Sequence, residues 1–209
     1  NFTLTATTGN GSIASTAGCA FVPTTSCRPT DPPFSYVEGG VQTINATGTV
    51  KVEANANGGF GVALFSGGGQ SITADRVEVL GGVSGPNNDA VIYSSAGAQF
   101  ITVTGSVGNL GSLAIYGGAA GHGNTAGIVS TSGAQNLDVV GNILVQGGGN
   151  AASYQNFAGI ENNASQTINV YYGGSVVLRG GAGGGIISAT GTSDNYASIK
   201  TTSGNQTID

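Results

Sequence analysis

Ten carboxylates could take part in acid–base chemistry: Asp31, Glu38, Glu53, Asp75, Glu78, Asp89, Asp138, Glu161, Asp194 and Asp209. Hydrolysis of a sugar polymer needs two such groups held roughly 5–9.5 Å apart. Glu53 and Glu78 come nearest to a pattern, because they fall in the same motif of two successive repeats. Glu53 stands near Lys51 and Glu78 beside Arg76, the setting of outward, solvated charges rather than of a general acid and its base. The five Lys and Arg residues are scattered, so the basic residue that a lyase sets beside a metal-bound acid is not suggested either. His122, the one histidine, lies in Gly121-His-Gly-Asn-Thr-Ala126, which has the G-x-G-x-x-A form of a dinucleotide-binding turn. That turn works only with a helix behind it, whose N-terminal N–H groups and dipole face the phosphates. No helical segment follows, so chance in a glycine-rich chain explains the match, and His122 is expected in an exposed loop. Asp89 and Asp194 lie in loops, but the spaced Gly-Asp nonapeptide of calcium-binding rolls is missing. No nucleophile elbow, P-loop or H-E-x-x-H pattern occurs. The expectation is a protein with no catalytic, cofactor-binding or metal-binding residues, and not an enzyme.

Composition points to a scaffold. The chain has 209 residues, of which 39 are glycine and 39% hydrophobic, with only 7% charged. So much apolar content excludes a disordered low-complexity tract, and five prolines without a Gly-X-Y period exclude collagen. Val, Ile, Leu and Ala supply pleats, while Gly, Asn, Ser and Thr supply corners. A net charge of −5 with five basic residues removes the electrostatic footprint of nucleic-acid binding. No apolar run approaches the ~18 residues of a membrane-spanning helix. The sequence opens on Asn1 and shows no signal peptide, as a processed or excised part of something longer would. Cys19 and Cys27 lie in a Pro-rich stretch, and two thiols cannot make a four-ligand zinc site. A local disulfide is the preferred reading, implying an oxidising compartment, and a pair of reduced thiols is the alternative.

The fold is read from a repeat. Gln42, Gln70, Gln99, Gln135, Gln166 and Gln206 each stand two residues before an Ile or Leu, and in five copies Ala or Val follows two further on. This Gln-x-Ile-x-Val motif predicts a short strand with one buried face. A second motif follows each of the five: Thr49-Val-Lys-Val-Glu53, Arg76-Val-Glu-Val-Leu80, Ser112-Leu-Ala-Ile-Tyr116, Asn142-Ile-Leu-Val-Gln146 and Ser175-Val-Val-Leu-Arg179. A Gly-Gly pair comes directly after four of these. A third motif centres on Leu64, Ile92, Ile128, Ile160 and Ile199, usually with a small residue two places earlier, and lies six or seven residues before the next Gln. The gap between second and third motifs instead grows from about ten residues to about twenty, which marks the corner where loops are inserted.

Three short one-faced strands per unit cannot bury their apolar sides alone. Coiling lets each strand pair in parallel with its counterpart one turn later, at a spacing of ~4.8 Å. The expected fold is therefore all-β, a parallel β-helix (β-solenoid) with three strands per coil and about five to six coils, right-handed by the general preference of parallel crossovers. The glutamines can form an amide ladder from coil to coil, expected as a polar ladder at a corner rather than a buried one. Residues 42–209 are the solenoid repeats. Residues 1–41 form a partial coil, in which Phe2, Leu4 and Ala6 alternate as in a second motif and residues 14–41 are a Cys/Pro-rich insertion loop in place of the usual corner. Gln206, Thr207, Ile208 and Asp209 read as the start of a further first strand. Such a strand is an open parallel edge, which either the continuing chain or another molecule covers.

The Gln-Thr-Ile-Asn/Asp and Gly-Ser-Val-Val-Leu-Arg-Gly-Gly motifs and Tyr196-Ala-Ser-Ile-Lys200, spread over about residues 42–209, resemble those of filamentous-haemagglutinin-like exoproteins and related beta strand repeat surface proteins of Gram-negative bacteria. The coils here are longer and more uneven than in that family's best-known members. The resemblance implies export, an extended fibre and a role in adhesion, aggregation or biofilm. With it, the sequence leads to a structural or adhesive component of a bacterial extracellular fibre or cell-surface layer, secreted, self-associating or part of a longer parent chain, with a surface glycan or cell-surface receptor as partner. Tyr93, Tyr154, Tyr172 and Tyr196 are candidate contact residues, with ordinary corner packing as the alternative. Asn1, Asn10, Asn45, Asn163 and Asn205 open N-x-Ser/Thr triplets that could carry glycans. A carbohydrate-active β-helix, such as a lyase or depolymerase, is the rival reading. Ice binding would need a regular Thr-x-Thr array, and the pattern varies too much between coils.

Overall fold

The computed structural model describes residues 2–5, 15–16, 34–54, 61–105, 111–149, 155–181 and 195–209. The Cys19–Cys27 pair, Asp31, Asp194, Tyr154 and the triplets at Asn1 and Asn10 lie outside these. The described residues form strands and turns, without a helix long and apolar enough to cross a membrane.

The three sequence motifs become three columns of parallel strands. The glutamine column stacks β4 (Gln42–Asn45), β7 (Gln70–Ala74), β10 (Gln99–Val103), β13 (Gln135–Gln146), β15 (Gln166–Tyr171) and β18 (Gln206–Ile208). The second column stacks β1 (Phe2–Thr5), β5 (Thr49–Glu53), β8 (Arg76–Leu80), β11 (Gly111–Tyr116), the second half of β13 and β16 (Val176–Arg179). The third stacks β3 (Phe34–Gly39), β6 (Gly61–Ser66), β9 (Ala90–Ser94), β12 (Ala126–Ser130), β14 (Ala158–Asn162) and β17 (Ala197–Thr201). β2 (Ser15–Thr16) lies antiparallel to β3, the one antiparallel pair among the described strands. Because like motifs from successive turns sit side by side, the fold is a parallel β-solenoid.

Register follows the pattern of the motifs residue by residue. Ile72 pairs with Ile101 and Ile101 with Leu137 in the first column, Val77 with Leu113 and Leu113 with Ile143 in the second, Ile92 with Ile128 and Ile128 with Ile160 in the third. All of these are fully buried and belong to one continuous core. A slip by one residue would turn every one of them outward. Each buried aliphatic side chain contributes about 1.5–3 kcal/mol relative to exposure, so the alternation alone locks the stacking.

Two expectations are corrected here. Residues 14–41 are not a single excursion up to the next glutamine, since Phe34–Gly39 is a third-column strand whose Val37 pairs with Leu64. Residues 34–39 therefore belong to the solenoid and not to an insertion. Ser35 and Val37 stand where the later copies have Ala or Val and Ile or Leu, and the Pro-rich segment just before them hides the match. The last strand is also shorter by one residue than expected. Gln206, Thr207 and Ile208 pair in parallel with Gln166, Thr167 and Ile168, while Asp209 lies past the end of β18. Asp209 keeps the register through its main chain, donating to the carbonyl of Ile168 at 2.9 Å and accepting from the N–H of Val170 at 2.7 Å. Gln206, Thr207, Ile208 and Asp209 are all exposed.

Candidate functional site

The glutamines form a ladder, and it is buried from Gln42 to Gln166. Nε2 of Gln70 donates to Oε1 of Gln42 at 2.7 Å, Gln99 to Gln70 at 2.8 Å, Gln135 to Gln99 at 2.7 Å, Gln166 to Gln135 at 2.5 Å and Gln206 to Gln166 at 2.5 Å. Gln70, Gln99, Gln135 and Gln166 are at most 1% exposed, contrary to the expected solvated corner. The reason is satisfaction. Beyond the link to its neighbour, each of three central amides also donates to a main-chain oxygen of the third column: Gln70 to Leu64, Gln99 to Val129 and Gln135 to Glu161. A buried amide costs free energy only when its donors and acceptor are unmet, and here they are met.

A second ladder runs up the opposite boundary of the third column. Asn88, Asn124, Asn156 and Asn195 each stand two residues before the alanine that opens the strand, and each is buried. The main-chain N–H of Asn88 donates to Oδ1 of Asn124 at 2.8 Å, that of Asn124 to Asn156 at 2.9 Å and that of Asn156 to Asn195 at 2.9 Å. The side-chain amide of Asn124 also holds the carbonyls of Ala120 and Gly85. Beside it Asp89, fully buried, accepts from the N–H and hydroxyl of Thr125 at 2.9 and 2.7 Å. This carboxylate pins one turn to the next. The repeated Asn-x-Ala was present in the sequence as a signal for this ladder.

The other chemistry-bearing residues stand apart. Lys51 and Glu53 pair at 2.7 Å, Arg76 and Glu78 at 3.4 Å, all on the outer face of the second column. Glu161 is buried with its Oε1 3.3 Å from Lys200 Nζ. Burial pushes the Glu161 carboxyl above its ordinary value, and the Lys200 ammonium pulls it partly back. His122 is exposed. Its carbonyl accepts from Asn87 N–H in a loop-to-loop bridge rather than in a phosphate-binding turn. Among the described residues no group of three or more His, Cys, Asp or Glu could hold a metal ion. Asn45, Asn163 and Asn205 are exposed. Of the tyrosines, Tyr93 is 9% exposed and stacks on Phe65 at 5.5 Å, and Tyr196 stacks on Phe157 at 5.0 Å, so both are packing residues rather than free contacts. Tyr172 is 82% exposed and holds φ of 58°.

A groove not foreseen from the sequence lies on the outer edge of the second column. Glu53, Leu80, Tyr116 and Gln146 occupy one register row in four successive turns. They line a cleft of about 440 Å³ together with Val83, Ala119 and the Gly-Gly pairs that follow the strands. The glycines have a steric cause, since a Cβ at Gly148 would collide with the carbonyl oxygen of Gly118 in the preceding turn. Their lack of side chains keeps the cleft open beside the row.

Fold and ladders together define a parallel β-solenoid bonded along its axis by stacked amides. No family model matches the chain, and no curated protein or solved structure matches it.

Proposed function

We propose that the chain is a structural and adhesive component of a bacterial extracellular fibre or surface layer. The observation that carries this reading is where the repeated residues go: the glutamines, the asparagines and the aliphatic pairs all bond one turn to the next. A sequence that repeats only its stacking contacts is built to be long and stiff, and its loops and outer rows are left to vary. Among the described strands β16, β17 and β18 each pair on one side only. They offer a surface, with Gln206, Thr207 and Ile208 on its glutamine edge, onto which a further turn of the same chain or another copy can add by the same register.

Electron microscopy and light scattering of the intact protein over a range of concentrations test the self-association part. Filaments one rod wide are expected, and a strictly monomeric particle at every concentration overturns it. The carbohydrate-active alternative would need a second carboxylate facing Glu53 across the groove. Among the described lining residues Glu53 is the sole acid.

A further inference from the structure

We infer that the groove floored by Glu53, Leu80, Tyr116 and Gln146 binds a neutral polysaccharide laid along the solenoid axis. The inference deepens the adhesive part of the proposed function and rests on that reading for its biological setting. Geometry comes first. The four floor residues belong to four successive turns at the same register position, so a ligand in the groove meets a new side chain every ~4.8 Å. A site built by translation suits a linear polymer better than a compact molecule, because each turn offers one more contact of the same spacing.

The chemistry of the row suits sugars. Tyr116 is half-buried and supplies an aromatic face for the C–H side of a pyranose ring. Gln146 carries a donor pair and an acceptor on one planar group, able to meet two neighbouring hydroxyls. Glu53 supplies acceptor oxygens, and its charge is offset by Lys51 at 2.7 Å. Leu80 and Val83 add apolar surface, and the Gly-Gly pairs let a ring approach the main chain closely.

The same observations disfavour the other extended polymers. A peptide that adds as a strand needs a row of unpaired N–H and C=O groups, and β5, β8 and β11 are paired on both sides throughout the groove. Nucleic acids and acidic polysaccharides need clustered cations. The register row continues past Gln146 to one exposed cation, Arg179. None of the described lining residues is Lys or Arg, so no cluster forms, and the chain carries −5 overall.

The test is native affinity electrophoresis of the intact chain in gels containing hydroxyethyl cellulose, galactomannan or polygalacturonate. At least one of the two neutral polymers retards the protein and polygalacturonate does not. Tyr116→Ala weakens retardation about tenfold, the loss of one aromatic stacking contact, and Gln146→Leu weakens it as well. Tyr172→Ala, which removes an exposed aromatic outside the groove, leaves it unchanged. Thermal melting of each variant identifies any that misfolds, and if Tyr116→Ala does so, Gln146→Leu decides. Absence of retardation by both neutral polymers overturns the inference, as does stronger retardation by polygalacturonate or full binding by the folded groove variants. Filament formation is scored in the same samples. Filaments without glycan binding sink this inference alone, and glycan binding without filaments sinks the self-association reading alone.

Discussion

The two corners that flank the third column behave in opposite ways. On leaving it, the chain reaches the next glutamine through a short, nearly constant link: Ser66 to Gln70, Ser94 to Gln99, Ser130 to Gln135, Asn162 to Gln166 and Thr201 to Gln206. On entering it, the chain passes through segments as different as 81–89 and 180–196. The constant corner is fixed from within. Ser94 Oγ donates to the carbonyl of Ala96 and Ser130 Oγ to that of Ser132, the following Gly97 and Gly133 take φ of 71° and 84°, and the glutamine ladder closes the turn. The variable corner is clamped at its two ends by the Gly-Gly pairs pressed on the turn below and by the asparagine ladder. Its described copies 81–89 and 117–125 are also bridged part-way, where the carbonyl of His122 accepts from Asn87 N–H and that of Gly121 from Asn156 Nδ2. Where neither clamp nor bridge holds it, this corner can lengthen, because loop closure costs only about 0.6 kcal/mol per doubling of length. Stacking therefore needs locked boundaries, not a fixed repeat length.

The sharpest way to break this contrast is to remove a rung. Gln99→Ala strips the partner from Gln70 Oε1 and Gln135 Nε2 and leaves a cavity, so a loss of about 3–5 kcal/mol is expected by urea denaturation. Gln206→Ala, at an exposed rung, should change stability by less than about 0.5 kcal/mol. Equal effects would show that the ladder is not the clamp. Next come insertions. A Ser-Gly pair placed between Ser132 and Gly133 should cost at least about 2 kcal/mol, because it parts Ser130 from Gln135, whereas the same pair after the exposed Val83 should cost less than about 1 kcal/mol. Melting curves of the two insertion variants compare the corners directly.

A smaller effect concerns the outer face of the third column. With the Glu161 carboxyl raised by burial, the folded protein holds that proton more tightly than the unfolded chain does. Its contribution to stability is present below its ordinary value and is lost as pH rises through the raised one. The gap in urea midpoint between the parent and Glu161→Gln should therefore shift in favour of the variant as pH rises above the ordinary carboxylate range. An unchanging gap would show that Lys200 fully offsets the burial. The smallest effect belongs to Tyr172, which holds a left-handed backbone without a buried contact to compensate. Tyr172→Asn should raise stability by about 1 kcal/mol or less, read as a modest rise in Tm.

Much of the architecture was legible because a strand written with period two and repeated with a marker residue leaves few other folds. Ile101, Leu113 and Ile128 could be assigned to the core from spacing alone. What stayed hidden depends on more than one turn at a time. Gln99 looks too polar to bury when considered singly, and only its neighbours above and below make burial possible. Asn124 reads as part of a loop, since its bond runs to the main chain of another turn and leaves no strand period. The groove row escaped notice because Glu53, Leu80, Tyr116 and Gln146 share a position but no chemistry, and no motif search finds a site whose members all differ.

The glutamine ladder also has a direction. In all five links Nε2 points to the oxygen of the preceding turn. The amides therefore line up head to tail, polarise one another and cannot reverse one at a time without setting two donors or two acceptors face to face. A rod with such a spine carries unlike termini, one offering hydrogen and the other oxygen. Whatever is added along its axis must then arrive in a single orientation, which makes growth vectorial rather than mirror-symmetric.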